Sequence, residues 1–220
     1  MVLPAMRAAR EAARREYRTN MFRQLFLALC NHEDTWGTLP QPVHRDRYGN
    51  PCYSWRYQVL PYLEALPYPW HSDVPWYDPP NHIWIDVPFA AYCLPGEPAP
   101  SQRTDTSVWA VTGPGTAFDD EQPRKLAELP PNLILLVEVR DSQTHWMEPG
   151  DLDVDNVPEW LTQGISGDGF LVLFADGEIW FLERSVPLDN VKEFFTIERA
   201  ARSDRAKLLG AHGYRIRRNY

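Results

Sequence analysis

The densest apolar stretch of the chain, FLVLF at 170–174 and IWFL at 179–182, is split by Asp176-Gly177. A two-residue Asp-Gly loop between strand-forming runs predicts a β-hairpin, both turn positions needing positive φ. That loop sets Phe174 opposite Ile179, Leu173 opposite Trp180, Val172 opposite Phe181 and Leu171 opposite Leu182. One face then carries Leu171, Leu173, Trp180 and Leu182; the other carries Val172, Phe174, Ile179 and Phe181. Both faces are apolar, so both are expected to be covered, as in a central rather than an edge hairpin. At about 1.5–3 kcal/mol per fully buried large side chain, these residues would anchor a core.

Toward the N-terminus the apolar period becomes helical. Ala5 to about Glu33 reads as one long helix, rich in Ala, Arg and Glu and unbroken after Pro4. Phe22, Leu25, Phe26 and Leu29 fall at i, i+3, i+4 and i+7, a stripe made to lie on something, whereas the front half offers only alanine and arginine. This is the pattern of a stalk entering a globular head. Ser54 is placed to cap a second helix with Trp55, Val59, Leu63 and Leu66 on one side and Pro61 bending it. From Pro67 to Pro100 prolines alternate with aromatics and no period survives; the segment reads as ordered loop pinned by Trp70, Trp76, Tyr77 and Trp84. Strands are expected at Ser107–Val111, stopped by Gly113-Pro114-Gly115, and at Asn132–Val139, with polar loop from Asp141 to Ile165. Leu188–Ile197 reads as a short helix and the chain beyond Ala200 as a fraying tail. The sum is an α+β fold, divided into an N-terminal helix (1–35), a loop-rich β head (36–198) and a basic C-terminal tail (199–220).

Composition adds two features. The chain has 21 prolines, roughly twice the average share, and 9 tryptophans, which favours long irregular connections packed by aromatics. The net charge of −8 is uneven: residues 1–24 carry +4 and residues 199–220 carry +6, leaving −18 for the middle. Basic ends suit nucleic acid or anionic lipid, but the acidic body would repel phosphates; a solvated helix face and tail is the better account, and no nucleic-acid partner is expected. Cys30, Cys52 and Cys93 are odd in number and lack Cys-x-x-Cys spacing; one bridge with a spare thiol and three thiols in a reducing compartment are both compatible. No run of about 18 apolar residues occurs, so no membrane span is expected in the chain as written, and Met1–Ala5 is too short for a signal peptide.

The segments "LPAMRAAREAARR" and "QLFLALCNHEDTWGTLP" resemble the start of a prepilin-type family of unknown function whose members carry a C-terminal His-x9-Asp-Gly motif. The similarity continues in order through "SWRYQVLPYLE", "PWYDPPN", "TGPGTAF", "LILLVEV", "HWMEPGDL" and "FLVLFADGEIWFL", about residues 3–197. The resemblance implies a type IV pilin-like fold, with a helical spine half buried on an antiparallel sheet. It also implies display outside the cytoplasmic membrane and pilin-like or secretion-system subunits as partners; it brings no enzymatic activity. Three departures stand out. The leader and nearly all of the family's hydrophobic segment are missing, so the chain as written lacks the anchor and would be soluble. Arg18 stands where the family has a cysteine, which takes away the implied partner of Cys93. Ser166 stands where the motif places its histidine.

Candidate sites are few. Asp176 and Gly177 read as turn residues rather than catalytic ones. Ser166 is no nucleophile elbow, because Asp168 stands where Gly-x-Ser-x-Gly needs glycine. His145 and Glu148 lie three apart, but Pro149 places them in a loop, where a hydrogen-bonded structural histidine is the better account. His32-Glu33-Asp34 reads as a polar helix end. Asp151, Asp153 and Asp155 alternate, with Glu159 following, an oxygen set of the kind calcium takes. An EF-hand would need glycine at Asn156 and glutamate at Thr162, and a solvated acidic loop is preferred. Trp70, Trp76, Tyr77 and Trp84 are candidates to line a groove for a sugar or peptide, but packing beneath the proline-rich loops accounts for them equally well and is preferred. No triad, phosphate loop or metal motif is present, so no catalytic residue and no cofactor is expected, calcium in the acidic loop being the one alternative. Two readings follow: a non-enzymatic structural or interaction protein of the cell envelope, and a binding module recognising an envelope glycan or peptide.

Overall fold

A computed structural model describes residues 2–63, 71–92, 104–139, 142–163 and 169–217. Helix α1 runs Val2–Trp36, longer at both ends than its pattern required. Gly37 stops it in the left-handed region (φ 81°), its amide donating to the Glu33 carbonyl at 2.7 Å. The polar helix end serves this stop: His32 Nδ1 donates to Thr38 O at 3.0 Å, and Glu33 Oε2 accepts the Leu126 amide at 2.9 Å. Phe22, Leu25 and Leu29 of the expected stripe are fully buried, with Met21 and Ala28 beside them, while Phe26 is half-buried over the hairpin turn. Near the front, Met6, Ala9 and Arg10 are exposed. From Arg15 onward the helix is tied to the head: the Arg15 guanidinium lies 4.5 Å over Phe181 and donates to the Tyr214 hydroxyl.

The helix lies against a six-stranded sheet built from β3 (Val108–Thr112), β4 (Ile134–Glu138), β5 (Leu152–Asp153), β6 (Gly169–Phe174), β7 (Ile179–Glu183) and β8 (Gly213–Arg215). Their order is β5-β3-β4-β6-β7-β8, with β5 parallel to β3 and every other pair antiparallel. A separate hairpin, β1 (Val43–Arg45) and β2 (Pro51–Ser54), leads into the short helix α2 (Trp55–Gln58), which Ser54 caps by accepting the Arg56 amide. The expected second helix continues only as a 3-10 turn at Leu60–Tyr62, and Leu66 lies outside the described residues. The polar stretch after β4 holds β5 and the short helix α3 (Trp160–Gln163) as well as loop.

The central hairpin is β6–β7, but in a register one residue away from the expected one. Leu173 faces Ile179, Val172 faces Trp180 and Leu171 faces Phe181. The Phe174 amide donates to Glu178 O and the Gly177 amide to Phe174 O, so the loop is Ala175-Asp176-Gly177, with positive φ at Gly177 alone. This is the three-residue loop with a glycine bulge rather than the two-residue loop. Asp176 acts in it through its side chain, Oδ1 accepting the Glu178 amide at 2.9 Å. The slip exchanges the faces of β7. Leu171, Leu173, Ile179 and Phe181 share a core with α1; Phe170, Val172, Phe174, Trp180 and Leu182 form the opposite one. Alanine at Gly177 would meet positive φ and bring Cβ to 2.7 Å from the Phe26 ring. Gly177→Ala is expected to cost about 1–3 kcal/mol, read as a lower urea midpoint at unchanged slope.

The C-terminal residues correct the expectation of a fraying tail. Helices α4 (Leu188–Lys192), α5 (Ile197–Ala200) and α6 (Arg205–Leu209) are followed by β8, which pairs with β7 at the sheet edge. Val186, Val191, Phe194, Phe195 and Leu209 cover the second face of the hairpin. Residues up to 217 therefore belong to the head. Arg205, 7% exposed, is the reason the end holds: it donates to Asp176, Glu178 and the Pro131 carbonyl, and its guanidinium lies 3.8 Å over Phe174.

Arg18 has a comparable role on the other face. It donates to Glu138 Oε1 at 2.8 Å, both side chains being buried, while Glu138 Oε2 accepts the Leu171 amide. An ion pair from α1 to β4 thus stands where the family resemblance led to a cysteine. Cys30 and Cys52 are free thiols, and Cys93 lies outside the described residues.

Candidate functional site

The proline- and tryptophan-rich loops are organised around Arg56. Its side chain is fully buried and donates to Val108 O at 3.0 Å, Gly150 O at 3.0 Å and Asp151 Oδ1 at 2.6 Å. Asp151 also accepts the Trp55 indole and the Ala110 amide. Burial pushes the Asp151 carboxyl up to about 6, against the pull of Arg56 and these donors. The Tyr92 hydroxyl, buried and held well above its ordinary value, donates to Arg56 O at 2.6 Å. Trp146 stacks parallel to Tyr92, and its indole donates to Val87 O at 2.8 Å. Asn81 fixes the next loop: its amide nitrogen donates to the carbonyls of His71, Val74 and Pro75, and its oxygen accepts the His71 amide.

On this base sits an open groove of about 580 Å³. The Trp76 amide donates to Cys52 O at 2.8 Å, and the Trp76 ring stacks on His145, centroids 4.6 Å apart and planes within 9°. Tyr77, 55% exposed, meets Trp76 edge-on at 5.8 Å. Pro51, Pro75 and Pro149 complete the apolar wall, and Asp46, Asn50 and Glu148 line the rim. His145 is locked as the neutral tautomer: Nε2 donates to Ile85 O at 3.0 Å and Nδ1 accepts the Met147 amide at 3.1 Å. Glu148 accepts the His145 amide, so the pair singled out by spacing is a structural brace under the groove.

Of the four aromatics expected to line a groove, Trp76 and Tyr77 do. Trp84 is 1% exposed and belongs to the core, and Trp70 lies outside the described residues, as does Ser166. The acids Asp151, Asp153, Asp155 and Glu159 are not brought together. Asp151 is turned inward onto Arg56, while Asp153 accepts the Asp155 amide and the Asn156 side chain. Among the described residues no group of three His, Cys, Asp or Glu side chains is placed to hold a metal ion. Sequence reasoning missed Arg56 and Asn81, for which composition and spacing give no signal.

The family model for a protein of unknown function, DUF1559, matches residues 7–128. The chain belongs to that family. No characterised protein and no solved structure shows a match. The DUF1559 match takes in α1 from Arg7 onward, the β1–β2 hairpin, Arg56, Trp76, Tyr77 and β3. His145, Glu148 and Asp151 come from beyond its limit, so the groove joins both parts of the chain. Among the described residues no helix is long and apolar enough to cross a membrane.

Burial holds His32, His44 and His145 below the ordinary imidazole value. The unfolded chain therefore takes up protons at these positions below about pH 6.5 while the fold does not, and stability falls as pH drops through that value. Asp151, raised in the fold, works in the opposite sense below about pH 6. His145→Gln leaves the Asp151 contribution in place and is expected to flatten the loss of stability between pH 7.5 and 5.5, measured by urea unfolding.

Proposed function

We propose that this DUF1559 protein is a non-enzymatic, pilin-like structural or interaction protein of the cell envelope. The observation that supports it is the division of α1: its rear half is a core element of the head, and the described side chains near its front are exposed. Such a helix carries a rigid head away from whatever its front half joins. The buried cations favour a non-enzymatic role, because each is spent on the fold: Arg18 on Glu138, Arg56 on Asp151, and Arg205 on Asp176 and Glu178. The partners that fit are pilin-like or secretion-linked subunits. Fractionation of cells carrying a tagged full-length gene product tests this. Recovery in the envelope fraction with a head accessible to external protease is the expected result; recovery in the cytosol overturns it. A second reading, a binding module, is favoured by the preformed Trp76–Tyr77 groove, which a purely structural subunit does not need.

A further inference from the structure

The Trp76–Tyr77 corner has a definite chemistry. Two aromatic rings stand at 83° to each other, one of them braced from behind by a stacked histidine that is itself held at both nitrogens. The rim contributes the carboxylates of Asp46 and Glu148, and among the described residues no lysine or arginine lines the groove. Burial and then the charges of Asp46, Asp73 and Asp78 hold the neighbouring Cys52 thiol above its ordinary value, so the field there is negative. Neighbouring arginines are engaged elsewhere: Arg45 with Asp120, Arg56 with Asp151, and Arg47 over Tyr48.

Aromatic faces attract cations through the ring quadrupole, and a pair of rings with a carboxylate beside them favours a guanidinium or ammonium over a neutral group. A neutral sugar would want donor and acceptor pairs at the rim. The Asp46 oxygens are already taken by the amides of Tyr48 and Asn50 and by the Asn50 side chain. We propose that the Trp76–Tyr77 groove binds a basic peptide segment, seating an arginine or lysine head against the aromatic corner beside Glu148. This deepens the second reading above and rests on it.

The test is a tryptophan-fluorescence titration of the full chain with a short Gly-Arg-Gly-Arg peptide, its citrulline counterpart and a chito-oligosaccharide, at low and at 300 mM salt. The expected result is at least tenfold weaker binding of the citrulline peptide, and weakening of the arginine peptide by salt. Tyr77→Ala and Glu148→Gln should each weaken the arginine peptide at least fivefold. Tyr77 is exposed, so its variant should keep the wild-type melting temperature and serves even where Trp76→Ala disturbs the loop. Equal binding of arginine and citrulline peptides, or binding unmoved by Tyr77→Ala, overturns the proposal. Saccharide binding that Tyr77→Ala abolishes, without peptide binding, rejects the cationic ligand and keeps the groove; no binding by any of the three rejects both.

Discussion

Arg56→Met should lower the unfolding free energy by about 3–5 kcal/mol, the range for removing one partner of a buried ion pair. In a chain of 220 residues that is roughly 6–20 °C in melting temperature. The substitution leaves Asp151 buried with the Trp55 indole and the Ala110 amide but without its counter-charge, and it strips donors from Val108 O and Gly150 O. The penalty should depend on pH. In the native protein Asp151 ionises near 6, against an unfolded value near 4. Without Arg56 its folded value rises further, so the fold loses stability over a wider window as pH rises. The variant should therefore fall further below the native protein at pH 8 than at pH 5.5. Adding Asp151→Asn to Arg56→Met removes the stranded charge while keeping an acceptor for the indole and the amide, and should recover part of the loss. Urea titrations at the two pH values measure both.

The second large effect concerns the contact that fastens the helix to the sheet. Arg18→Met leaves Glu138 in the core without its arginine partner and should cost about 3–5 kcal/mol. Adding Glu138→Gln removes the stranded charge while keeping an acceptor for the Leu171 amide. The double variant should recover most of the loss, and a double-mutant cycle on urea midpoints reads the coupling. A double variant no more stable than Arg18→Met would mean that the arginine acts by packing alone.

Helix α1 and strands β4, β6 and β7 were legible because each is long, apolar and regular enough for its period to survive. The hairpin register was not. With both faces of FLVLF and IWFL apolar, alternation cannot distinguish two pairings one residue apart, and Asp-Gly suits both loop lengths. The deciding contacts come from far away: Arg205 reaches back to Asp176 and Glu178, and Phe26 leaves no room beside Gly177. The short helix expected at Leu188–Ile197 is present as α4, ending earlier at Lys192, whereas α5 and α6 escaped for a related reason. These two have only four or five residues, too few for a period, and are held by burial of Ala200 and Leu209. In the candidate site, composition singled out the aromatics but could not separate Trp76 and Tyr77, which line the groove, from Trp84, which lies in the core. That difference depends on how Asn81 and Arg56 fold the loops.

The rear of α1 and the β6–β7 hairpin form one packed unit, whereas the described side chains near the front of the helix are exposed. Native-state amide exchange measures this directly. Amides of residues 19–32 should open with the same free energy as those of β6 and β7, and residues 5–12 should exchange far faster. Rear-half amides that exchange as fast as the front while the hairpin stays protected would contradict the account.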